Sequence, residues 1–268
     1  MRRHRIGPAV PLLLCLFLPT VAGGQSLDRP VDVELLLAVD VSGSMDPDEQ
    51  KLQRQGYVGA IRSDAFRRAV RGGFIGRIAL AFVEWGGIGR QRVLLPWTEL
   101  ADDAAIDRAA ERLATAPIAP LRGTSLSSIL DFAGHSLADN GFEGLRRVID
   151  VSGDGPNNTG GPVMDARDRL LKRGTTINGL PIMIRPALHG SATTPSLDEY
   201  FTACVTGGPG SFVLPVRRIE ALAEAIRRKL VLEIAGSRAR QERVLPAEAR
   251  PPVDCRIGER LKRFWMAP

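Results

Sequence analysis

The apolar positions of the chain form short continuous runs that alternate with longer amphipathic stretches. The run from Leu35 to Val39 is wholly apolar, which is typical of a central strand covered on both faces. Further strands are predicted over 77–85, 92–97, 146–152, 175–182 and 211–216. Helices are predicted over 48–71, 101–114, 125–137, 162–172, 198–205 and 217–232.

The order of these elements predicts the fold class. Because strands and helices mostly alternate, we expect an α/β fold, doubly wound, with a mainly parallel sheet and helices on both faces. One pair of strands departs from the alternation, since only a loop with Gly86 and Gly87 separates them, as in a hairpin. Pro96 in the second of these strands indicates an edge position. The sheet should therefore have one antiparallel edge strand.

The N-terminus has the pattern of a secretory signal peptide. Basic residues precede an apolar run from Val10 to Ala22, and small residues follow as far as Gly24. An uncleaved anchor is the alternative, although the run is shorter than the ~20 residues of a membrane span. We expect no membrane span after cleavage and a periplasmic or secreted location in a bacterium. The predicted divisions are a signal peptide over 1–24, a domain over 25–236, and a basic, Pro-containing, irregular tail over 237–268.

Charge and cysteine content change with the loss of this peptide. The chain carries 36 basic and 30 acidic residues, a formal charge of +6, and three of the arginines lie in the predicted signal peptide. The small excess that remains gives no argument for nucleic-acid binding. Cys15 would also be lost, which leaves Cys204 and Cys255. An even pair in an exported protein suggests a disulfide, here one that joins the tail to the domain; two separate thiols are the alternative.

Polar side chains with oxygen atoms follow the predicted strands. Asp40, Ser42 and Ser44 come directly after the first strand, Thr124 lies in a loop that opens a helix, and Asp154 follows a later strand. Carboxyl ends of parallel strands share one rim of the sheet, so these residues should gather there. Their oxygens suit Mg²⁺, Mn²⁺ or Ca²⁺, and the lack of His and Cys disfavours zinc. Helix capping and turn formation are the alternative.

This set of residues resembles a known site. Asp40-x-Ser42-x-Ser44, Thr124 and Asp154 are similar to the metal-ion-dependent adhesion site of von Willebrand factor A domains. The resemblance covers about residues 31–236 and extends to an uncharacterised group of exported bacterial A-type proteins. The segments that carry it further are 82–85, 148–158, 176–181 and 207–212.

The resemblance implies a role for each residue. In such domains the two serines and the threonine contact the metal, the aspartates often act through water, and an acidic side chain of a partner completes the shell. The implied function is an exported, metal-dependent, adhesion-type protein-binding module that is not an enzyme. Its implied partner is a protein that presents an Asp or Glu.

Two other functions stay open. One is a Mg²⁺-dependent phosphotransfer enzyme with Asp40 as the nucleophile, and the other is a structural envelope protein with a vestigial site. Serines stand where such an enzyme would need further acids, and neither a phosphate-binding loop nor a nucleophile elbow is present. His135 and His189 lie in no nucleophile motif. Near the rim, we expect Trp85 to be packed, and Asn157 with Asn158 to form a turn.

Overall fold

The computed structural model describes residues 28–185, 195–236 and 253–266, with side chains as far as 262. The predicted signal peptide and most of the predicted tail lie outside these residues, so the boundaries of the three divisions stay predictions. No helix within the described ranges combines the length and the apolar character that a membrane crossing needs.

A five-stranded sheet in the order β4-β3-β2-β6-β7 forms the centre of the domain. Strands β3, β2, β6 and β7 run parallel, and β4 pairs antiparallel with β3 at one edge. The predicted α/β class with one antiparallel edge strand is confirmed. A separate parallel pair, β1 with β5, was not predicted. The strands are β1 (Arg29–Val31), β2 (Glu34–Asp40), β3 (Ile78–Trp85), β4 (Gln91–Leu100), β5 (Phe142–Gly144), β6 (Arg147–Gly153) and β7 (Thr176–Pro181).

The helices cover both faces of this sheet. The side chains of β2 alternate between two cores, with Leu35 and Leu37 facing one and Leu36 and Ala38 facing the other. Helices α1, α2, α3 and α7 pack on the first face, and α4 and α5 pack on the second. The helices are α1 (Pro47–Arg62), α2 (Asp64–Arg71), α3 (Asp103–Thr115), α4 (Leu126–Ser136), α5 (Val163–Leu171), α6 (Leu197–Tyr200), α7 (Leu222–Ala235) and α8 (Ile257–Met266), with a π-helical turn at Phe201–Val205 and a 3₁₀ turn at Ile219–Ala221.

One predicted helix is two helices in the structure. The segment 48–71 breaks at Ser63, whose backbone is extended and whose hydroxyl accepts a hydrogen bond from the Phe66 amide at 3.2 Å. A serine in this role caps the following helix, so α2 begins in a new direction. The apolar pattern alone does not reveal the break, because both helices bury residues against the same core.

Two predictions for the C-terminal part were wrong. The segment 211–216 is no strand; it makes only isolated bridges, from Val213 to Gly179 and from Val216 to Ile182. Pro215 lacks an amide hydrogen and interrupts any regular ladder there. The tail, expected to be irregular throughout, forms helix α8. The structure joins Cys204 to Cys255 in a disulfide, just ahead of this helix.

Candidate metal centre

The loop between β2 and α1 folds around the carboxylate of Asp40. This aspartate ends the central strand and is fully buried, and its Oδ1 accepts a hydrogen bond from the Ser42 amide at 2.7 Å. The Ser42 hydroxyl, also buried, lies 2.9 Å from the hydroxyl of the exposed Ser44. These oxygen atoms therefore form a column that runs from the end of β2 to the protein surface.

A second carboxylate completes the column from β6. The Ser44 hydroxyl donates to Oδ1 of Asp154 at 2.7 Å, although 110 positions separate the two residues in the chain. Because β2 and β6 are parallel neighbours, their ends meet at one rim, as the sequence predicted. Gly153 allows the end of β6 to lie close to Asp40, since a Cβ at this position would be 3.1 Å from Asp40 Oδ2.

Neither carboxylate forms an ion pair with a basic side chain that the structure describes. Burial, and then the charge of Asp154, raise the pKa of Asp40 to about 8, while hydrogen bonds from Ser42 and from the Asp154 backbone oppose the shift. Burial also raises the pKa of Asp154, against a hydrogen bond from Ser44 and the charge of Arg185. Asp40 Oδ2 has no hydrogen-bond partner among the residues that the structure describes.

Thr124 reaches the rim through its backbone contacts. Its amide donates to Asn158 Oδ1 at 3.3 Å, and its carbonyl accepts from the Asn158 amide at 3.1 Å. The same loop is attached to the end of β2, where the Leu121 amide donates to the Val41 carbonyl at 2.9 Å. The structure thus brings together the loops of all five predicted residues, with four of them linked by side-chain contacts.

Arg185 is a residue of the rim that sequence reasoning missed. It follows β7, donates to the Ser44 carbonyl, and pairs with Asp46 at 3.0 Å and with Glu49. It thereby holds the loop after β7 against the start of α1. The position of Arg185 beyond a strand at the same rim was the available signal, but the sequence does not reveal which acids it would meet.

Asn157 is a connecting residue of the rim. Its fully buried side chain accepts from the Ser127 amide at 3.1 Å and donates to Glu259 Oε1 at 2.7 Å. The backbone amide of Asn157 donates to the Tyr200 hydroxyl at 3.2 Å. Asn157 therefore joins α4, α6 and α8 to the loop that carries Asp154, and the turn expected at Asn157 and Asn158 is not formed.

The other polar candidates take structural positions. Trp85 is fully buried, and Glu84 is buried between Arg54 and Arg92, so Glu84 belongs to an internal ion-pair network. His135 is exposed on α4, with Nδ1 2.7 Å from the Asp131 carbonyl. His189 lies outside the described residues.

The rim residues fit a divalent cation of the hard type. Two carboxylates, two hydroxyls and a threonine loop provide oxygen atoms only. The described part of the chain has no group of three or more His, Cys, Asp or Glu that could hold a metal, so the hydroxyls would have to supply ligands. A soft metal would prefer sulfur or imidazole. A bound cation would supply positive charge beside two carboxylates whose pKa values are raised mainly by burial.

Comparison of the sequence with protein families gives a match over residues 30–238 to a family described as "Protein of unknown function (DUF1194)". The chain belongs to this family. No curated protein sequence matches the chain. The DUF1194 match covers the whole sheet and all five rim residues.

Solved structures show what fold this DUF1194 chain has. Proximal thread matrix protein 1 from the mussel byssus matches with a TM-score of 0.54 and 13% identity, over 78% of this chain and 49% of that one. A von Willebrand factor type A protein from Catenulispora acidiphila matches with a TM-score of 0.54 and 18% identity, over 76% and 43%. The pilus adhesin SpaC from Lactobacillus rhamnosus GG matches with a TM-score of 0.54 and 13% identity, over 77% and 30%. These neighbours establish a von Willebrand factor A-type fold, in agreement with the resemblance of the motifs. The chain spans less than half the length of each of them.

Proposed function

We propose that this DUF1194 protein is an exported, metal-dependent protein-binding module. Mg²⁺, or Mn²⁺ or Ca²⁺ in its place, would be held by the hydroxyls of Ser42, Ser44 and Thr124. Asp40 and Asp154 would act through water, and an Asp or Glu of a partner protein would complete the shell. The bound cation would supply positive charge that attracts an anionic ligand.

One observation carries the proposal. The buried Asp40 has an oxygen without a partner among the described residues and lies close enough to Asp154 for the charge of one to raise the pKa of the other. A folded protein avoids buried carboxylates without a compensating charge. A cation at this position would offset both the cost of the unpartnered Asp40 oxygen and the cost of placing two carboxylates close together. The complete burial of Asp40 also disfavours the phosphotransfer alternative, in which its carboxylate would have to reach a substrate.

The solved neighbours support the class of function. One is named a pilus adhesin, and a second structure of the mussel matrix protein, with a TM-score of 0.52 and 14% identity, is described as having a zinc-occupied MIDAS motif. Interaction modules outside the cytoplasm thus occur on this fold. The choice of Mg²⁺ over zinc for this chain rests on its oxygen ligands. The periplasmic or secreted location rests on the N-terminal sequence pattern.

The test is the melting temperature of the protein in EDTA and in Mg²⁺, Mn²⁺ or Ca²⁺. A ligand that binds only the folded state stabilises it by about 2.7 kcal/mol at a hundredfold excess over Kd. We expect at least one of the ions to raise the melting temperature of the wild type and to have no effect on Ser44→Ala. Ser211→Ala, at a serine outside the rim loops, is the matched control and should respond as the wild type does. An equal rise in Ser44→Ala, or no rise with any ion at millimolar concentration, would contradict the proposal.

A further inference from the structure

A cavity of about 850 Å³ opens beside the proposed metal site. Ser44 and Asp154 line it, so it is continuous with the column of oxygen atoms. Its volume lies in the range of about 300–1,000 Å³ that is usual for binding sites. A single side chain does not fill such a volume, so the cavity has room for more than the acidic group that the cation would attract.

The lining divides into a polar group and an apolar group. The polar group lies at the rim, where Arg185 donates to the Ser44 carbonyl and pairs with Glu49. Asp154 joins this group through its hydrogen bond from the Ser44 hydroxyl. The remaining walls are mainly apolar. Their principal residues are Ile182, Ile184, Leu197, Tyr200, Ile257 and Leu261. A ligand that matches this lining has one charged group and an apolar body beside it.

Helix α8 builds one wall of the cavity, with Ile257 and Leu261. The Cys204–Cys255 disulfide and the bond from Asn157 to Glu259 hold α8 in place. The DUF1194 match ends at residue 238, so this wall comes from a part of the chain beyond it. The helix thus extends the apolar walls that residues after β7 and in α6 begin.

We propose that this cavity binds the apolar residues next to the acidic residue of a partner protein. The occupant is a peptide segment in which an Asp or Glu is adjacent to bulky aliphatic or aromatic residues. The inference rests on the proposed function, because the cation would fix the acidic residue at Ser44 and Asp154. Charge complementarity at the rim and the apolar walls beside it then determine which residues can follow.

The experiment is a selection from a displayed peptide library with one fixed Asp between randomised positions, against the full protein in Mg²⁺ and in EDTA. We expect Leu, Ile, Phe, Met or Trp to be enriched beside the Asp in Mg²⁺ only. Replacement of the enriched residue by Ala should weaken binding about 10- to 100-fold. Selection of peptides without apolar residues beside the fixed Asp, or selection of no peptide, would overturn the inference.

A variant in the wall separates this inference from the proposed function. Leu261→Lys should weaken binding of the selected peptide at least tenfold while the metal-induced rise in melting temperature persists. Leu261→Met should restore the affinity, and Leu145→Lys, at an exposed leucine before β6, is the matched control. Equal affinity in Leu261→Lys would overturn the inference alone, whereas the loss of the metal response in the wild type would overturn both. If the protein bound dodecanoate but no selected peptide, the cavity would take a lipid-like ligand, and this result would also overturn the inference.

Discussion

Two pairs of acidic side chains, one at the rim of the sheet and one between the sheet and α7, differ in the positive charge that they contact. At the rim, Asp40 and Asp154 have no ion pair with any basic side chain that the structure describes. Inside the domain, under α7, Asp150 and Glu233 both pair with the buried Lys229. Asn178 also donates to Glu233 at 3.3 Å. The cation of the inner pair is a residue of the chain, whereas the proposed function supplies the cation of the rim pair from solution.

The difference shows why burial of acids is informative only together with their partners. Burial raises the pKa of Glu233 to about 8 and that of Asp40 to about 8, so titration alone does not separate the two clusters. Arg185 is the basic residue at the rim. It is half exposed and forms its ion pairs with Asp46 and Glu49. A cluster of acids with a buried, fixed cation is structural, whereas a cluster of acids without such a cation is a candidate binding site.

The largest effect is expected from removal of the built-in cation. Lys229→Met leaves two buried carboxylates without a positive charge, and breaking a buried pair in this way typically costs about 3–5 kcal/mol. Urea unfolding at pH 7 measures the loss. The triple variant Lys229→Met with Asp150→Asn and Glu233→Gln is the control and should recover most of it. A loss below about 1 kcal/mol in the single variant would break the comparison.

Asp40→Asn tests the other pair and should give the opposite result in EDTA. It removes a carboxyl group whose ionisation is costly in its buried position, so we expect stability to be unchanged or increased without metal. The gain of about 2.7 kcal/mol from metal at a hundredfold excess over Kd should be lost. Melting curves with and without Mg²⁺ measure both effects. A cost in EDTA as large as that of Lys229→Met would show that the rim carboxylate is structural.

Glu233 should make stability depend on pH. Burial, and then the charge of Asp150, raise its pKa to about 8, above the value in the unfolded chain. The folded state therefore binds a proton that the unfolded state releases, and this contribution to stability is lost as the pH rises from about 4.5 through 8. Glu233→Gln should flatten the curve by at most a few kcal/mol, because each tenfold change in proton affinity corresponds to about 1.4 kcal/mol. Urea unfolding of both proteins at pH 5 and pH 8.5 measures the change, and parallel curves would contradict the assignment.

The smallest effect belongs to Arg185. Its ion pairs are exposed, and such pairs contribute about 0–1 kcal/mol and weaken with salt. We expect Arg185→Gln to lower the free energy of unfolding by less than about 1 kcal/mol, with a smaller difference in 1 M NaCl. A loss comparable to that of Lys229→Met would make Arg185 the missing cation of the rim and would remove the contrast.

The sequence predicts the parts of the molecule that local patterns determine. The apolar run of β2 and the alternation of strands and helices are sufficient for the sheet and for both helix layers. The strand ends are sufficient to bring Asp40, Ser42, Ser44 and Asp154 to one rim, because parallel strands share an end. Thr124 is placed by a loop, and the sequence predicts only its presence near the rim.

The sequence does not predict contacts that depend on distant segments. Lys229 is an ordinary polar position of a predicted amphipathic helix, and Glu233 lies just beyond the predicted end of that helix. Only the packing of α7 on β6 shows that both are buried. The same holds for Arg185, whose partners lie about 140 residues earlier. Helix α8 follows a Pro-rich segment, so composition favours irregular structure there. The contact of Glu259 in α8 with Asn157, and that of the preceding Cys255 carbonyl with the Tyr200 hydroxyl, come from the tertiary fold.

The disulfide at Cys255 also determines how firmly α8 is held as a wall of the cavity. Cys255 lies two residues before the helix, so the tether is short. A short tether keeps a segment at an effective concentration in the millimolar range beside the surface that it contacts. In an oxidising compartment α8 is therefore a fixed wall. Under reducing conditions only non-covalent contacts would hold this wall, so we expect the affinity of the cavity for apolar ligands to depend on the redox state of its surroundings.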